Sequence, residues 1–253
     1  MKTPIARLEQ QFGMLRSQAI QLWNPFLRRK LIRFYKPLIP TGTLCFDIGA
    51  HLGNRIDAWL AMNTHIVALD PQPLCYKYLN KHFGKKRNVT ILPKAAGKQV
   101  GKMDLHISHL YPTVSTLSGD QWRTALRDAS NASVTWDETI EVEVTTLDQL
   151  IEQHGVPHFC KIDVEGYECS VLEGLSHPIP TLSFEFLSSM QKRRVACLKY
   201  LKSLGNYTFN WSVEDAYQMQ FEKWQDADVL LESIRRHGNH LFSGDIYARR
   251  VER

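Results

Sequence analysis

Short apolar runs alternate with segments of helical periodicity over most of the chain. The apolar runs predict strands at residues 44–48, 65–70, 89–96, 103–108, 141–147, 159–165, 182–186, 207–211 and 245–250. The run at residues 141–147 looks like an edge strand. Helices are expected after the first strand through residue 62, and at residues 73–83, 148–154, 167–174, 191–204 and 226–237. Strands that alternate with helices predict an α/β fold, in which a parallel sheet carries helices on both faces.

One long segment breaks this alternation. Residues 109–139 are polar and have no clear period, which predicts a loop or lid with one helix near residues 120–128. The lid contains three large aromatic residues that either stack on a sugar ring or pack the lid onto the core: Tyr111, Trp122 and Trp136.

The first 40 residues form a separate region. Residues 6–23 and 26–36 predict two helices, and prolines at positions 25 and 37 mark their limits. The first helix has large apolar residues near helical spacing at Leu8, Phe12, Leu15 and Trp23. We therefore divide the chain into an N-terminal helical arm, residues 1–40, and a main domain, residues 41–253.

Charge distinguishes the arm from the main domain. The arm holds eight lysine and arginine residues against Glu9 alone, a net charge of +7, so the main domain carries −2 of the chain's +5. An acidic main domain argues against a nucleic-acid groove. The basic arm either packs on the main domain with its charges in solvent, or contacts an acidic partner or a membrane surface.

Composition and cysteine usage narrow the class of protein. The 253 residues are 43% hydrophobic and 23% charged, as in ordinary globular proteins, and no apolar run approaches the roughly 18 residues of a membrane span. The five cysteines include no C-x-x-C pair, and Cys45 and Cys160 lie within apolar runs, which favours buried thiols and a reducing compartment. The first residues lack the apolar core of a secretory signal. We expect a cytoplasmic protein, with peripheral membrane contact through the arm as a variant.

The segment FDIGAHLGN (46–54) places an acidic strand end before a glycine turn into a helix. Glycines at Gly49 and Gly53 let a ligand approach the backbone closely. The spacing is not the G-x-G-x-x-G of dinucleotide sites, which disfavours a nicotinamide oxidoreductase. Asp47 suits a cationic or amino-bearing ligand better than a pyrophosphate.

The next predicted strand also ends in an acidic residue. Asp70 stands 21 positions after Gly49. A carboxylate at this place accepts hydrogen bonds from a ribose diol. The alternative is a helix cap, because Asp before Pro71 is good capping chemistry.

The segment KIDVEGYE (161–168) has three charged residues that alternate with apolar ones. On a strand Lys161, Asp163 and Glu165 share one face, and burial of unpaired charges costs several kcal/mol each. The strand is therefore expected to present them at a site near its C-terminal end, the alternative being a structural Lys161–Asp163 ion pair. Glu168 begins the next helix, and Glu185 is a lone carboxylate that faces the same crevice or pairs with Lys161.

These segments together, with TTLDQLI (145–151), VLEGL (171–175) and LSFEF (182–186), resemble the FkbM family of S-adenosylmethionine-dependent methyltransferases. The resemblance covers about residues 44–186. It implies a class I methyltransferase fold: a Rossmann-like, doubly wound, mostly parallel seven-stranded sheet whose last strand, DIYARR (245–250), is antiparallel.

The resemblance also implies a cofactor site for S-adenosyl-L-methionine. Its residues are Asp47, Gly49, His51, Gly53 and Asn54 at the methionine part, Asp70 at the ribose hydroxyls, Ala96 by the adenine, and Asp163. His51 stands where the family often has asparagine, and Asp70 where it often has glutamate.

The expected reaction is methylation of a hydroxyl on a sugar, glycolipid or secondary metabolite, a substrate range that the resemblance implies. The proposed catalytic residues are Asp163 or Glu165, which orients or deprotonates the acceptor, with Glu168 and Lys161 assisting. We expect no metal; the alternative is a Mg²⁺ ion bound by Asp163, Glu165 and Glu168. The competing function is an inactive cofactor- or carbohydrate-binding protein on the same fold. The expected partner is a small-molecule or glycan acceptor and no nucleic acid.

Overall fold

A computed structural model describes residues 4–22, 25–129, 134–213, 216–238 and 242–251. Trp23 of the first predicted helix and residues 130–133 of the predicted lid lie outside the described residues. Among the described helices, none has the length and apolar character that crossing a membrane requires.

A seven-stranded sheet forms the centre of the main domain. Its order is β3-β2-β1-β7-β8-β10-β9, and its strands are β1 (Leu44–Ile48), β2 (His65–Leu69), β3 (Val89–Leu92), β7 (Phe159–Ile162), β8 (Thr181–Leu187), β9 (Tyr207–Val213) and β10 (Ser243–Arg250). Neighbouring strands are parallel except for β10, which runs antiparallel to both β8 and β9. The predicted doubly wound sheet with an antiparallel last strand is confirmed.

Helices cover both faces of this sheet, and the central strands β1 and β7 are buried on both sides. One face packs against α2 (Pro25–Tyr35), α3 (Asn54–Leu60) and α4 (Pro73–Phe83). The other packs against α6 (Leu147–His154), α7 (Glu168–Leu172), α8 (Gln191–Leu204) and α9 (Ala227–Arg236). Side-chain caps mark where two of these helices begin. Thr146 caps α6 by accepting a hydrogen bond from the Gln149 amide, and Asp226 caps α9.

The predicted strand over residues 89–96 is wrong in extent, because the chain divides there between two sheets. Pro93 follows β3, and β4 (Ala95–Ala96) belongs to a second, three-stranded sheet of order β4-β6-β5. In this sheet β6 (Glu138–Thr145) is the central strand, between β4 and β5 (Gly101–Ile107). The prediction of an edge strand at 141–147 is therefore also wrong, because β6 has a partner on each side.

The strand predicted over residues 159–165 ends at Ile162. The chain turns because Glu165 adopts a left-handed φ of 53° and Gly166 a φ of 89°. Lys161 therefore lies in β7, whereas Asp163 and Glu165 lie in the turn beyond it, and the three do not share one strand face.

The arm consists of α1 (Pro4–Leu22) and α2. Leu31, Phe34 and Tyr35 of α2 are buried in the core beside Trp59 and Phe159, so α2 packs on the main domain. α1 lies against α2 and against residues 112–114, a short 3-10 turn in the lid. The helix predicted near residues 120–128 of the lid is present as α5 (Asp120–Ala129).

Two cysteines form a disulfide that the sequence did not predict. Cys169 of α7 and Cys197 of α8 are bonded, with Cα atoms 5.2 Å apart. Cys45 and Cys160 are buried free thiols, as expected from their apolar surroundings.

Candidate active site

The C-terminal ends of β1 and β7 meet at Gly49. Its φ is 89°, and its amide donates to the Leu69 carbonyl at 2.9 Å. A side chain here would overlap the backbone carbonyl of Asp163, so only glycine fits. Gly53 (φ 77°) precedes α3, and a side chain there would meet Leu79 and Phe83 of α4.

Asp70, at the end of β2, is 2% exposed and binds the neighbouring turn. Its Oδ2 accepts from the His51 amide at 2.8 Å and its Oδ1 from the Gln72 amide at 2.9 Å. α4 begins at Pro73 with Gln72 as the N-cap, so Asp70 does not cap that helix. Burial raises the pKa of Asp70 to about 7, although the two backbone amides oppose the shift.

A partly open cavity lies between these strand ends and the lid. Six of the predicted site residues line it: Gly49, His51, Asp70, Ala96, Asp163 and Glu165. Ala95, Leu105, Thr113, Ser115 and Leu117 close it from the second sheet and the lid. The other predicted site residues do not line it: Asp47, Gly53, Asn54, Lys161 and Glu168.

Asp47 is fully buried, and neither of its carboxylate oxygens accepts a hydrogen bond from a described residue. Burial raises its pKa to about 6; Arg55 opposes the shift, and Asp163 adds to it. A buried acceptor without a partner is costly unless a ligand satisfies it. This position fits a cofactor that carries an amino group.

Lys161, also fully buried, lies within a network of opposite charges. Its Nζ lies 2.6 Å from Asp245 Oδ1 and 3.3 Å from Asp163 Oδ2, so the ion pair that the sequence left open is present. Arg55 Nη2 donates to the same Asp163 oxygen at 2.7 Å. Burial opposes the charged form of Asp163, but Lys161 and Arg55 outweigh it and hold the pKa of Asp163 well below its usual range.

Sequence reasoning missed two members of this network. Asp245 is a lone carboxylate in an apolar strand, the same signal that singled out Glu185, and it was overlooked. Arg55 carries no such signal. It lies on α3, and the sequence of that helix does not show that the fold brings Arg55 beside Asp163.

A second group of carboxylates lies beside this network. Asp163, Glu165 and Glu185 offer oxygens that all lie within 4.8 Å of one another. Burial, and then neighbouring negative charges, raise the pKa values of Glu165 and Glu185 well above their ordinary values. Glu185 therefore lies beside Asp163 and Glu165, although it does not line the cavity that contains Asp70. Closely spaced carboxyls of this kind hold a proton between them.

Glu168 has a different environment. Its Oε1 accepts from the amides of Val164 at 3.2 Å and Gly166 at 3.0 Å. Burial raises its pKa to about 7, although these amides oppose the shift. Glu168 thus holds the shape of the turn that carries Glu165.

The lid contacts the same turn. Thr116 Oγ1 donates to the Glu165 carbonyl, and Trp122, 2% exposed, covers Gly166. The Trp136 indole donates to the Val114 carbonyl within the lid at 3.0 Å. For Trp122 the structure shows packing of the lid onto the core.

Fold and site together define a class I S-adenosylmethionine-dependent methyltransferase. Residues 47–240 match the family described as Methyltransferase FkbM domain, and the chain therefore belongs to the FkbM methyltransferase family. No curated protein matches the chain.

Several solved structures are similar to the chain at low sequence identity. A precorrin-6y C5,15-methyltransferase from Geobacter metallireducens has 11% identity and a TM-score of 0.46, covering 88% of this chain and 87% of its own. The plantazolicin methyltransferase BpumL in complex with SAH has 8% identity and a TM-score of 0.44, covering 99% and 92%. A TehB-like SAM-dependent methyltransferase from Corynebacterium glutamicum has 10% identity and a TM-score of 0.43, covering 91% and 96%.

Proposed function

We propose that this methyltransferase methylates a hydroxyl oxygen of a sugar, a glycolipid or a secondary metabolite, with Glu165 as the proton acceptor. The observation that carries the proposal is the position of Glu165, which lines the same cavity as Asp70 and has a carboxyl oxygen within 4.8 Å of one from Glu185. An alcohol must lose its proton as it is methylated. Glu165 accepts that proton in its ionised form, and its raised pKa makes this form a stronger base than an ordinary carboxylate.

The residues present fit S-adenosyl-L-methionine, which when bound supplies an electrophilic methyl group on a sulfonium. Asp47 is assigned to the amino group, because its buried oxygens need a donor. Asp70 is assigned to the ribose hydroxyls and Ala96 to the adenine side of the cavity. Gly49, His51, Gly53 and Asn54 form the turn that keeps the backbone close to the cofactor.

The other charged residues are assigned positioning roles. Asp163 stays ionised between Arg55 and Lys161, so it is a weak base that orients the site. Lys161 is fully buried, and Asp163 and Asp245 raise its pKa against the effect of burial, so it remains a cation out of reach of an acceptor. Glu168 holds the turn of Glu165 through two backbone amides.

The acceptor class rests on the family resemblance and on charge. The main domain carries −2, which argues against a nucleic-acid acceptor. A hydroxyl acceptor loses its proton during methyl transfer, which suits a site that has a nearby carboxylate.

The experiment is methyl transfer from radiolabelled S-adenosylmethionine to a panel of glycosides, glycolipids and hydroxylated metabolites. Glu165→Gln is expected to keep cofactor affinity within about twofold and to lower turnover at least a hundredfold, the range typical of lost proton transfer. Glu152→Gln, an exposed carboxylate on α6, is the matched control. Near-normal turnover of both Glu165→Gln and Asp163→Asn would show that neither residue is the base.

A further inference from the structure

Helix α1 has an inner face built for close packing. Gly13 lies against the His109 carbonyl and Pro112, where a side chain would not fit. One turn later Ser17 is only 5% exposed. These small residues bring α1 directly onto the part of the lid that begins at residue 109.

The opposite face of α1 is apolar and open. Leu8, Phe12 and Leu15 are 65%, 62% and 63% exposed. With 3.6 residues per turn, positions 8, 12 and 15 form one stripe, opposite Gly13 and Ser17. We call these three residues the apolar stripe. Large apolar side chains grouped on one open face mark an interaction surface.

Helix α2 adds an exposed basic face. Leu31, Phe34 and Tyr35 are buried on one side of the helix. The other side exposes Phe26 (72%) together with the basic residues Arg29, Lys30 and Arg33, and the exposed Lys36 follows directly after the helix. The chain has no acidic residue between Glu9 and Asp47, so this segment is basic as a whole.

We propose that the apolar stripe of α1 and the basic face of α2 dock the protein on an anionic lipid surface. An apolar helix face with cationic neighbours is the pattern of helices that lie in a membrane interface, where apolar insertion and attraction to anionic headgroups act together. The charge of the arm favours an anionic lipid surface over a second copy of this chain as the binding partner, because two arms of net charge +7 repel each other.

This surface adjoins the active site through the lid. α1 rests on residues 109–112, and Thr113 and Ser115 just beyond them line the cavity. Docking therefore brings the lid side of the cavity close to the lipid, where an acceptor carried by the membrane is concentrated. The docking itself does not depend on the proposed acceptor or on Glu165.

The test is co-sedimentation of the full chain with vesicles of phosphatidylcholine alone or of an equal mixture with phosphatidylglycerol. We expect several-fold more protein bound to the anionic vesicles and a marked loss in high salt. The variants Leu8→Gln/Phe12→Gln/Leu15→Gln and Arg29→Gln/Arg33→Gln/Lys36→Gln are each expected to reduce binding at least fivefold.

Matched controls change the same residue types elsewhere. Val100→Gln/Val156→Gln/Val229→Gln replaces three exposed apolar residues, and Lys81→Gln/Lys85→Gln/Lys86→Gln removes three exposed charges. Both controls are expected to bind as the unchanged protein does, and thermal melting checks that every variant is folded. Equal binding to both vesicle types, or a loss as large in the controls, overturns the proposal. A concentration-dependent dimer in size-exclusion chromatography that the stripe variant abolishes would also overturn it, in favour of a second copy.

Discussion

Gly49 and Asp163 meet where β1 and β7 end side by side, so closely that a methyl group on Gly49 would overlap the Asp163 carbonyl oxygen. This contact fixes the backbone that bears the Asp163 and Glu165 carboxyls against the turn assigned to the cofactor. The geometry of the cofactor turn and of the turn that bears the two carboxyls thus depends on the absence of a side chain at Gly49.

Gly49→Ala is expected to destabilise the protein by about 1–3 kcal/mol, because it combines a strained φ with overlap of backbone atoms. Urea unfolding measures the loss, and calorimetry measures the accompanying loss of cofactor affinity. Gly101→Ala, where a side chain meets nothing within 4 Å, is the control. Equal stability of the two variants would contradict the close contact.

The Lys161–Asp245 pair is expected to be strongly coupled, because both side chains are buried and lie 2.6 Å apart. Lys161→Met leaves Asp245 and Asp163 short of a cation and should lower the free energy of unfolding by about 3–5 kcal/mol. A double-mutant cycle with Asp245→Asn measures the coupling.

The exposed pair Lys102–Glu141 supplies the control for this cycle, since its atoms are equally close at 2.7 Å. Solvent screens such pairs, so Lys102→Met should leave stability nearly unchanged. Additive losses in the buried cycle would show that Lys161 and Asp245 do not act as a pair.

Cofactor affinity is expected to fall with acidification. The ionised forms of Asp47 and Asp70 attract an amino group and accept ribose hydroxyls, and burial raises their pKa values to about 6 and about 7. Below those values each carboxyl must release a proton before it binds, so affinity should drop at least about tenfold between about pH 7.5 and about pH 5. Calorimetry in buffers of different ionisation enthalpy measures the proton release.

The variant Asp70→Asn tests whether Asp70 causes this pH dependence of cofactor affinity. It should bind the cofactor more weakly at neutral pH and show a smaller loss on acidification. Affinity that is constant, or that rises at low pH, would remove both carboxylates from the cofactor assignment.

Chelation is expected to leave the activity unchanged. Asp163, Glu165 and Glu185 have the spacing of a cation site, but Asp163 Oδ2 already contacts Arg55 and Lys161. Two cations on that oxygen compete with a metal ion. Turnover measured after EDTA treatment, and again with added Mg²⁺, should differ by less than about twofold; a large loss restored by Mg²⁺ would reverse the assignment.

The sequence predicted the strands and helices whose pattern is local. β1 and the helices over 73–83 and 191–204 have the predicted bounds, since apolar spacing alone defines them. The strand end at Ile162 was missed because the left-handed turn falls on Glu165, a residue type that gives no turn signal. Asp245 and Arg55 contact residues that are far away along the chain, so no local sequence pattern identifies them.

The second sheet has a consequence for the exchange of parts of this protein. Strands β4, β6 and β5 pair only with one another among the described strands, and they enclose a small apolar core of their own. They and the lid form one uninterrupted stretch of sequence, from Ala95 to Thr145. This stretch is therefore separable in sequence from Asp47, Asp70 and Asp163, and its replacement is expected to change the lid side of the cavity together with Ala96.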